Sequence, residues 1–304
     1  MLGRHSSHDR RALGHAKIDH VPVRPSRRLV ITGALALSAS ALTGCGVRLE
    51  DDAPDIPFVP KRQPIPAETA LLAVLGTLRS RDEPHSPERA ALLEAALAKA
   101  QVPDTVIASA AAPSADAERA AAFEASVREC GPGLLPLVGQ LTATVRITTP
   151  LGAKTRLWTP ATTKAWATGE VAATALEATR ATMYALEVLA GQKPDGPVAK
   201  DALAASQDLR RLAVRQTTAA GDAVQPAALG YERPKDLSGT KGHDWVVGSF
   251  VRLLAACADG FERLGADRVA ALEVTQWMVS IERISRTQFL QDVPELYGDG
   301  EHQP

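Results

Sequence analysis

Apolar residues recur at spacings of three and four along most of the chain after residue 66, which is the period of an amphipathic α-helix. Alanine is abundant whereas valine and isoleucine are sparse, and this composition also favours helices. No segment shows the convincing alternation of a strand. The sequence therefore predicts an all-α protein.

The predicted helices form two groups, separated by a connector at residues 148–159. The short helices are predicted at 67–80, 87–101, 114–130 and 134–147, the last interrupted by Pro136, and the long ones at 160–190, 197–220, 244–264 and 266–291. Because short, alanine-rich helices bury little surface, the first group should depend on packing against the second. We predict a smaller helical region at 67–150 and a four-helix bundle at 160–298.

Proline and glycine mark the ends of the long helices. Residues 159–160, Thr-Pro, pair a cap residue with a proline at the first helical position. Gly191, Gly221 and Gly265 stand where three helices should end in a left-handed residue. The connection at 222–243 is much longer than its two neighbours. A short, a long and a short connection in turn fit a ferritin-like four-helix bundle with one crossover. An up-down bundle with a long loop is the alternative.

The first 44 residues have the pattern of an export signal. Basic residues precede an uncharged run at 29–42, which is long enough for a signal-peptide h-region and shorter than the ~20 residues that span a bilayer. The run ends in Leu42, Thr43, Gly44 and Cys45. This tetrapeptide resembles the bacterial lipobox, in which the cysteine is lipidated and the chain is cut before it. The resemblance implies a signal peptide at 1–44 and a lipid on Cys45 that holds the mature protein on the outer face of the cell membrane.

The export route has two alternatives. Arg27 and Arg28 resemble the pair that opens a twin-arginine signal, whose pathway exports folded proteins. The lysine that usually follows the apolar start is missing, so the general secretory route is the other alternative. After Cys45, residues 45–66 contain prolines at 54, 57, 60, 64 and 66. Such a density of proline predicts an extended spacer.

Charge argues against nucleic acid as a partner. The chain has 34 basic and 35 acidic residues, of which seven basic and two acidic ones lie in residues 1–44. Residues 45–304 therefore have 27 basic and 33 acidic residues, which gives a net charge of about −6. A net acidic body lacks the basic surface that phosphate binding needs, so membrane attachment should come from the lipid itself.

Two further cysteines remain after processing. Cys130 and Cys257 could form a disulfide in an oxidising compartment, closing a loop of more than a hundred residues. Two buried thiols that act as small apolar side chains are the alternative.

Several segments of the second half are similar to a ferritin-like family of unknown function found in actinobacterial envelope proteins. They are LEATRATMYALEVLAG at 176–191, LRRL at 209–212, ALGY at 228–231 and VPELY at 293–297. The resemblance covers residues 160–298 and implies a four-helix fold without an established activity. Family members often have Glu-His where this chain has Thr179-Arg180.

That difference bears on metal binding. A di-iron bundle needs inward glutamates and Glu-x-x-His pairs, and no Glu-x-x-His occurs in the sequence. We therefore predict no metal site and no cofactor. Glu170, Glu177 and Glu187 are interpreted as surface acids rather than ligands.

Catalytic signatures are weak. Ser238 and Lys241 have the Ser-x-x-Lys spacing of penicillin-recognising enzymes, but the companion motifs are missing. Asp244 beside His243 is better interpreted as the cap or a first-turn acid of the third long helix than as half of a dyad. Trp158, Trp166, Trp245 and Trp277 are placed by helical spacing as core anchors, with sugar-stacking platforms as the alternative.

The sequence thus predicts a lipid-anchored envelope protein whose bundle is a non-catalytic structural or interaction module, with an unknown envelope protein as partner. Two alternatives remain. One is a metal-handling or enzymatic protein with a non-standard acidic site, and the other is a carrier of an apolar ligand, since a groove can open between helices.

Overall fold

A computed structural model describes residues 62–148, 163–192, 196–265 and 267–288. Within these ranges all regular secondary structure is helical and no strand occurs. The all-α prediction is therefore confirmed. All described residues belong to one compact unit, Glu50–Pro304.

Within residues 62–148 the first group contains five helices, one more than the pattern predicts. They are α1 (Glu68–Arg79), α2 (Ser86–Lys99), α3 (Asp104–Ala108), α4 (Asp116–Glu129) and α5 (Leu135–Thr148). The additional helix, α3, is too short for an apolar period to show. The predicted interruption at Pro136 is wrong, because this proline occupies the second position of α5, where a missing N–H costs no helical hydrogen bond.

In the described part of residues 163–288 the second group contains four long helices: α6 (Gly169–Gln192), α7 (Pro197–Ala220), α8 (Lys241–Leu264) and α9 (Arg268–Gln288). The ψ angles of Gly221 and Gly265, −126° and −112°, lie outside the left-handed helical region, so neither adopts the predicted conformation. Each nevertheless ends its helix, α7 or α8, with a positive φ that glycine permits. Gly191 does not, because α6 continues through it to Gln192. The predicted cap at 159–160 lies outside the described residues.

The start of α6 differs most from prediction. Residues 163–168 are not helical, so the helix cannot run unbroken from 160. The backbone N–H of Trp166 donates instead to the carbonyl of Ala219 at 2.8 Å. Gly169 then passes so close to α7 that a Cβ there would stand 2.5 Å from the carbonyl oxygen of Ala220. Tertiary contacts with the end of α7 thus set the boundary.

The long helices pack as a closed ring. Helix α6 lies against both α7 and α8, and α9 lies against the same two helices from the other side. The consecutive helices α7 and α8 are not packed neighbours. Helices α4 and α5 also pack on α9, so this last helix is surrounded and most of its described positions are buried.

A continuous apolar core joins the two predicted regions. It runs from Leu71 and Leu75 on α1 to Phe250 on α8 and Trp277 on α9. The short helices thus pack against the long ones, α4 and α5 on α9 and α5 also on α8.

Candidate functional site

The candidate site consists of buried charged side chains of α9 and of the arginines from neighbouring helices that lie near them. Glu273 and Glu282 are both 0% exposed. Glutamates are almost never fully buried unless a partner compensates for the loss of water. They are nine residues apart on one helix, which places them about 13 Å apart along its axis and on opposite sides. Each therefore belongs to a separate cluster.

The first group, called here the α2–α9 charge cluster, contains Arg81, Glu83, Arg89, Glu282 and Arg286. Arg286 lies one turn beyond Glu282, with its Nη2 3.5 Å from Oε2 of that glutamate. Arg89 reaches the cluster from α2 and is fully buried. Arg81 and Glu83 pair with each other in the connection before α2.

Burial decides the protonation of this cluster. It raises the pKa of Glu282 to about 7, although the guanidinium groups of Arg286 and Arg89 act in the opposite direction. Burial also lowers the pKa of Arg89, against the effect of Glu83. The Ser86 hydroxyl is buried and has no hydrogen-bond partner among the described residues. The cluster therefore holds a carboxyl group whose charge changes near neutral pH.

The second group, called here the α7–α9 polar cluster, is centred on Glu273. Its Oε1 accepts a hydrogen bond of 2.9 Å from Nη2 of Arg215 on α7. The same helices bury the amide of Gln216 and the indole N–H of Trp277, for which the described residues offer no hydrogen-bond partner. The Trp277 ring stacks on Trp166 with centroids 4.9 Å apart and planes 13° from parallel.

A third buried cation lies on α5. Burial lowers the pKa of Arg146 to about 10, and the like charge of Arg283 on α9 lowers it further, while Glu124 on α4 acts in the opposite direction. Three helices thus meet around charged groups at this point. Among the described residues, buried charged groups thus lie where α9 meets the short helices α2 and α5 and also where it meets the long helix α7.

These clusters have the chemistry of helix-positioning contacts. Removing one member of a buried ion pair leaves an uncompensated charge, so such pairs penalise incorrect packing. Within the described ranges no group of three His, Cys, Asp or Glu side chains is placed to hold a metal ion. The structure therefore brings acids together with arginines rather than with one another.

Cys130 and Cys257 are free, buried thiols in the structure. Burial raises the pKa of Cys130 to about 11 and that of Cys257 to about 12. Since the thiolate is the reactive form, both groups should be inert while the protein is folded. Two other predicted features, the twin-arginine pair Arg27 and Arg28 and the lipobox from Leu42 to Cys45, lie outside the described residues.

The acids of α6 do not converge. Glu187 is half-exposed and accepts hydrogen bonds of 2.9 Å from Ser206 and from Arg210 on α7. Glu177 lies 3.6 Å from Arg180. It also neighbours Tyr231, whose pKa is raised to about 12 by burial and then by this carboxylate. These positions are those of surface acids in local pairs, and Glu170 is likewise exposed.

The weak catalytic motifs form ordinary helix-start contacts. Lys241 pairs with Asp236, and the Ser238 backbone N–H donates to the same aspartate at 2.9 Å. The carboxylate of Asp236 has a pKa lowered to about 2 by these hydrogen bonds, that of Lys241 first. His243 Nδ1 and Asp244 Oδ1 are 3.8 Å apart, beyond hydrogen-bond distance, and both side chains are exposed.

The described tryptophans have structural positions. Trp277 is completely buried and Trp166 stacks on it. Trp245 is half-buried and meets the edge of Tyr184, with centroids 6.3 Å apart. Trp158 lies outside the described residues.

Sequence reasoning did not select Arg89, Glu273 or Glu282. A signal for Glu282 was present, because it follows Met278 by one turn on the apolar stripe of α9. No local signal identifies Arg89. Its side chain is buried near Glu282 only because α2 packs against the core.

No helix in the described part of the chain combines the length and apolarity needed to cross a bilayer.

Comparisons with family models, with curated proteins and with solved structures each find no significant match to the chain.

Proposed function

We propose that this chain is a lipid-anchored module on the outer face of a bacterial cell membrane, and that its helical body serves structure or protein interaction rather than catalysis. The observation that carries the proposal is the lipobox-like tetrapeptide ending at Cys45, directly after an uncharged run preceded by Arg27 and Arg28. A diacylglyceryl group supplies two acyl chains, and at ~0.8 kcal/mol per buried CH₂ two chains anchor a protein stably.

The arrangement of buried charges supports the non-catalytic part of the proposal. Glu273 and Glu282 are matched with arginines and lie on opposite sides of α9. A general acid or base must instead reach a substrate within hydrogen-bond distance. Groups that are fully buried between helices are suited to fixing how those helices pack.

We further propose that residues 160–298 form a ferritin-like bundle. In a simple up-down bundle consecutive helices are neighbours, whereas α7 and α8 are consecutive here without being packed together. The long connection between Ala220 and Lys241 is consistent with a crossover between two helical hairpins, α6 with α7 and α8 with α9.

Metabolic labelling with radioactive palmitate tests the anchor. The wild-type chain expressed in a bacterium should incorporate label and sediment with membranes. Cys45→Ala should lose the label, whereas the matched control Cys130→Ala should keep it because that thiol is buried in the body. Equal labelling and membrane association of the wild type and Cys45→Ala would refute the anchor. Stoichiometric iron, manganese, copper or zinc in the purified wild-type chain would contradict the metal-free body.

A further inference from the structure

An open groove of about 690 Å³ runs between α1 and α4. Its lining consists of Pro64, Ile65, Ala67, Glu68, Thr69, Ala70, Ala73, Pro113, Glu118, Ala121, Ala122, Ala125 and Glu129. The volume falls within the range of binding sites in proteins. Because the groove is open to solvent rather than enclosed, its shape suits an elongated occupant that lies along it.

The floor of the groove is made of small side chains. Of the five lining positions on α4, four (118, 122, 125 and 129) follow one another at four-, three- and four-residue intervals, so they share one helix face. The two inner positions are alanines, and α1 contributes Ala70 and Ala73 opposite them. Alanine leaves room for the backbone of a third helix to approach closely.

The two ends of this face are negatively charged. Glu118 and Glu129 are exposed and eleven residues apart, which is about 16 Å along the axis of α4. Neither takes part in an ion pair among the described residues. The third acid of the lining, Glu68, is already neutralised, because its Oε1 accepts a hydrogen bond of 2.9 Å from Nη1 of Arg62.

We propose that this groove receives one helix of a partner protein, about three turns long, with small side chains on its docking face and a lysine or arginine at each end of that face. A second copy of the chain is a poor occupant through its own α4, because Glu118 and Glu129 would meet like charges in either orientation. A neutral acyl chain would leave both carboxylates unused. A basic helix matches both the alanine floor and the charged ends.

A peptide pair tests this proposal on the full chain. The probe is a fluorescein-labelled, alanine-rich 15-residue peptide with two lysines eleven residues apart, and the control peptide carries glutamates at the same positions. Fluorescence anisotropy should show the lysine peptide binding about tenfold more tightly, since two exposed ion pairs replace two repulsions. With the double variant Glu118→Lys/Glu129→Lys the preference should reverse.

Two variants on α4 separate groove binding from adhesion to a charged surface. Ala125→Leu fills the floor and should weaken the lysine peptide at least tenfold, whereas Ala117→Leu, exposed on the same helix but outside the groove, should leave binding unchanged. Circular dichroism and urea unfolding of each variant report whether it is folded.

Three results would overturn the proposal. They are equal affinity for the two peptides, an unchanged preference after charge reversal, or dimerisation of the chain that Ala125→Leu abolishes, which would assign the groove to a second copy. None of these measurements depends on lipidation of Cys45. The anchor and the groove can therefore fail independently.

Discussion

Replacing Glu282 by glutamine should stabilise the protein at neutral and alkaline pH. The structure buries this carboxyl group completely and raises its pKa from 4.5 to about 7. Because the folded pKa is above the unfolded value, the folded state binds the proton more tightly. The stability associated with the protonated carboxyl is therefore fully present below about pH 4.5 and is lost as the pH rises through 7.

The size of the effect follows from the pKa difference. At about 1.4 kcal/mol for each pKa unit, ionisation of Glu282 lowers the free energy of unfolding by about 3 kcal/mol at pH 8 and by less than 1 kcal/mol at pH 5. Glutamine imitates the protonated carboxyl at every pH. Loss of a carboxylate beside Arg89 and Arg286 would by itself be costly. The raised pKa already includes both arginines and shows that burial outweighs them.

Urea unfolding followed by circular dichroism at pH 5 and pH 8 measures this difference. Glu282→Gln should exceed the wild type by about 3 kcal/mol at pH 8 and by less than 1 kcal/mol at pH 5. The matched control is Glu262→Gln, at an exposed position of α8, which should show no such dependence on pH. A Glu282→Gln variant that is less stable than wild type at pH 8, or a difference that is the same at both pH values, would refute the reasoning.

Other substitutions address packing and thiol chemistry. Glu273→Ala should cost about 3 to 5 kcal/mol in urea unfolding, because it leaves a largely buried arginine without its acid; a loss below 1 kcal/mol would contradict this. Gly76→Ala should lower the melting temperature, since the new Cβ would stand 2.2 Å from backbone. The Cβ added by Gly191→Ala on α6 meets nothing within 4 Å. This substitution should therefore raise the free energy of unfolding by up to about 1 kcal/mol. Alkylation without reductant should leave Cys130 and Cys257 unmodified in the folded chain and label both in urea; failure to label them in urea would establish a disulfide.

The two buried clusters have a common consequence for how this fold is held together. Alanine-rich helices such as α4 offer little apolar surface, so apolar packing alone specifies their partners weakly. A charged side chain that must find its counterpart penalises an incorrect arrangement more strongly. Glu282 opposite Arg89 and Glu273 opposite Arg215 should therefore contribute more to the uniqueness of the packing than to its free energy.

The sequence by itself determined where most helices lie. The predicted bounds of α7, from Pro197 to Ala220, agree with the structure because proline opens the helix and Gly221 closes it through its own backbone preferences. Periodicity located α1, α2, α4 and α8 within a few residues, because the spacing of apolar side chains is a local property.

Only the tertiary structure decided the start of α6, the central position of α9 and the pairing of buried charges. Trp166 leaves the helical conformation because the end of α7 supplies its hydrogen-bond partner and Trp277 supplies a stacking surface. Glu282 is a surface residue or a core residue depending on which helices cover α9, and Arg89 on α2 is its neighbour only after the chain has folded. These properties depend on contacts between residues far apart along the chain, which no local pattern of side chains encodes.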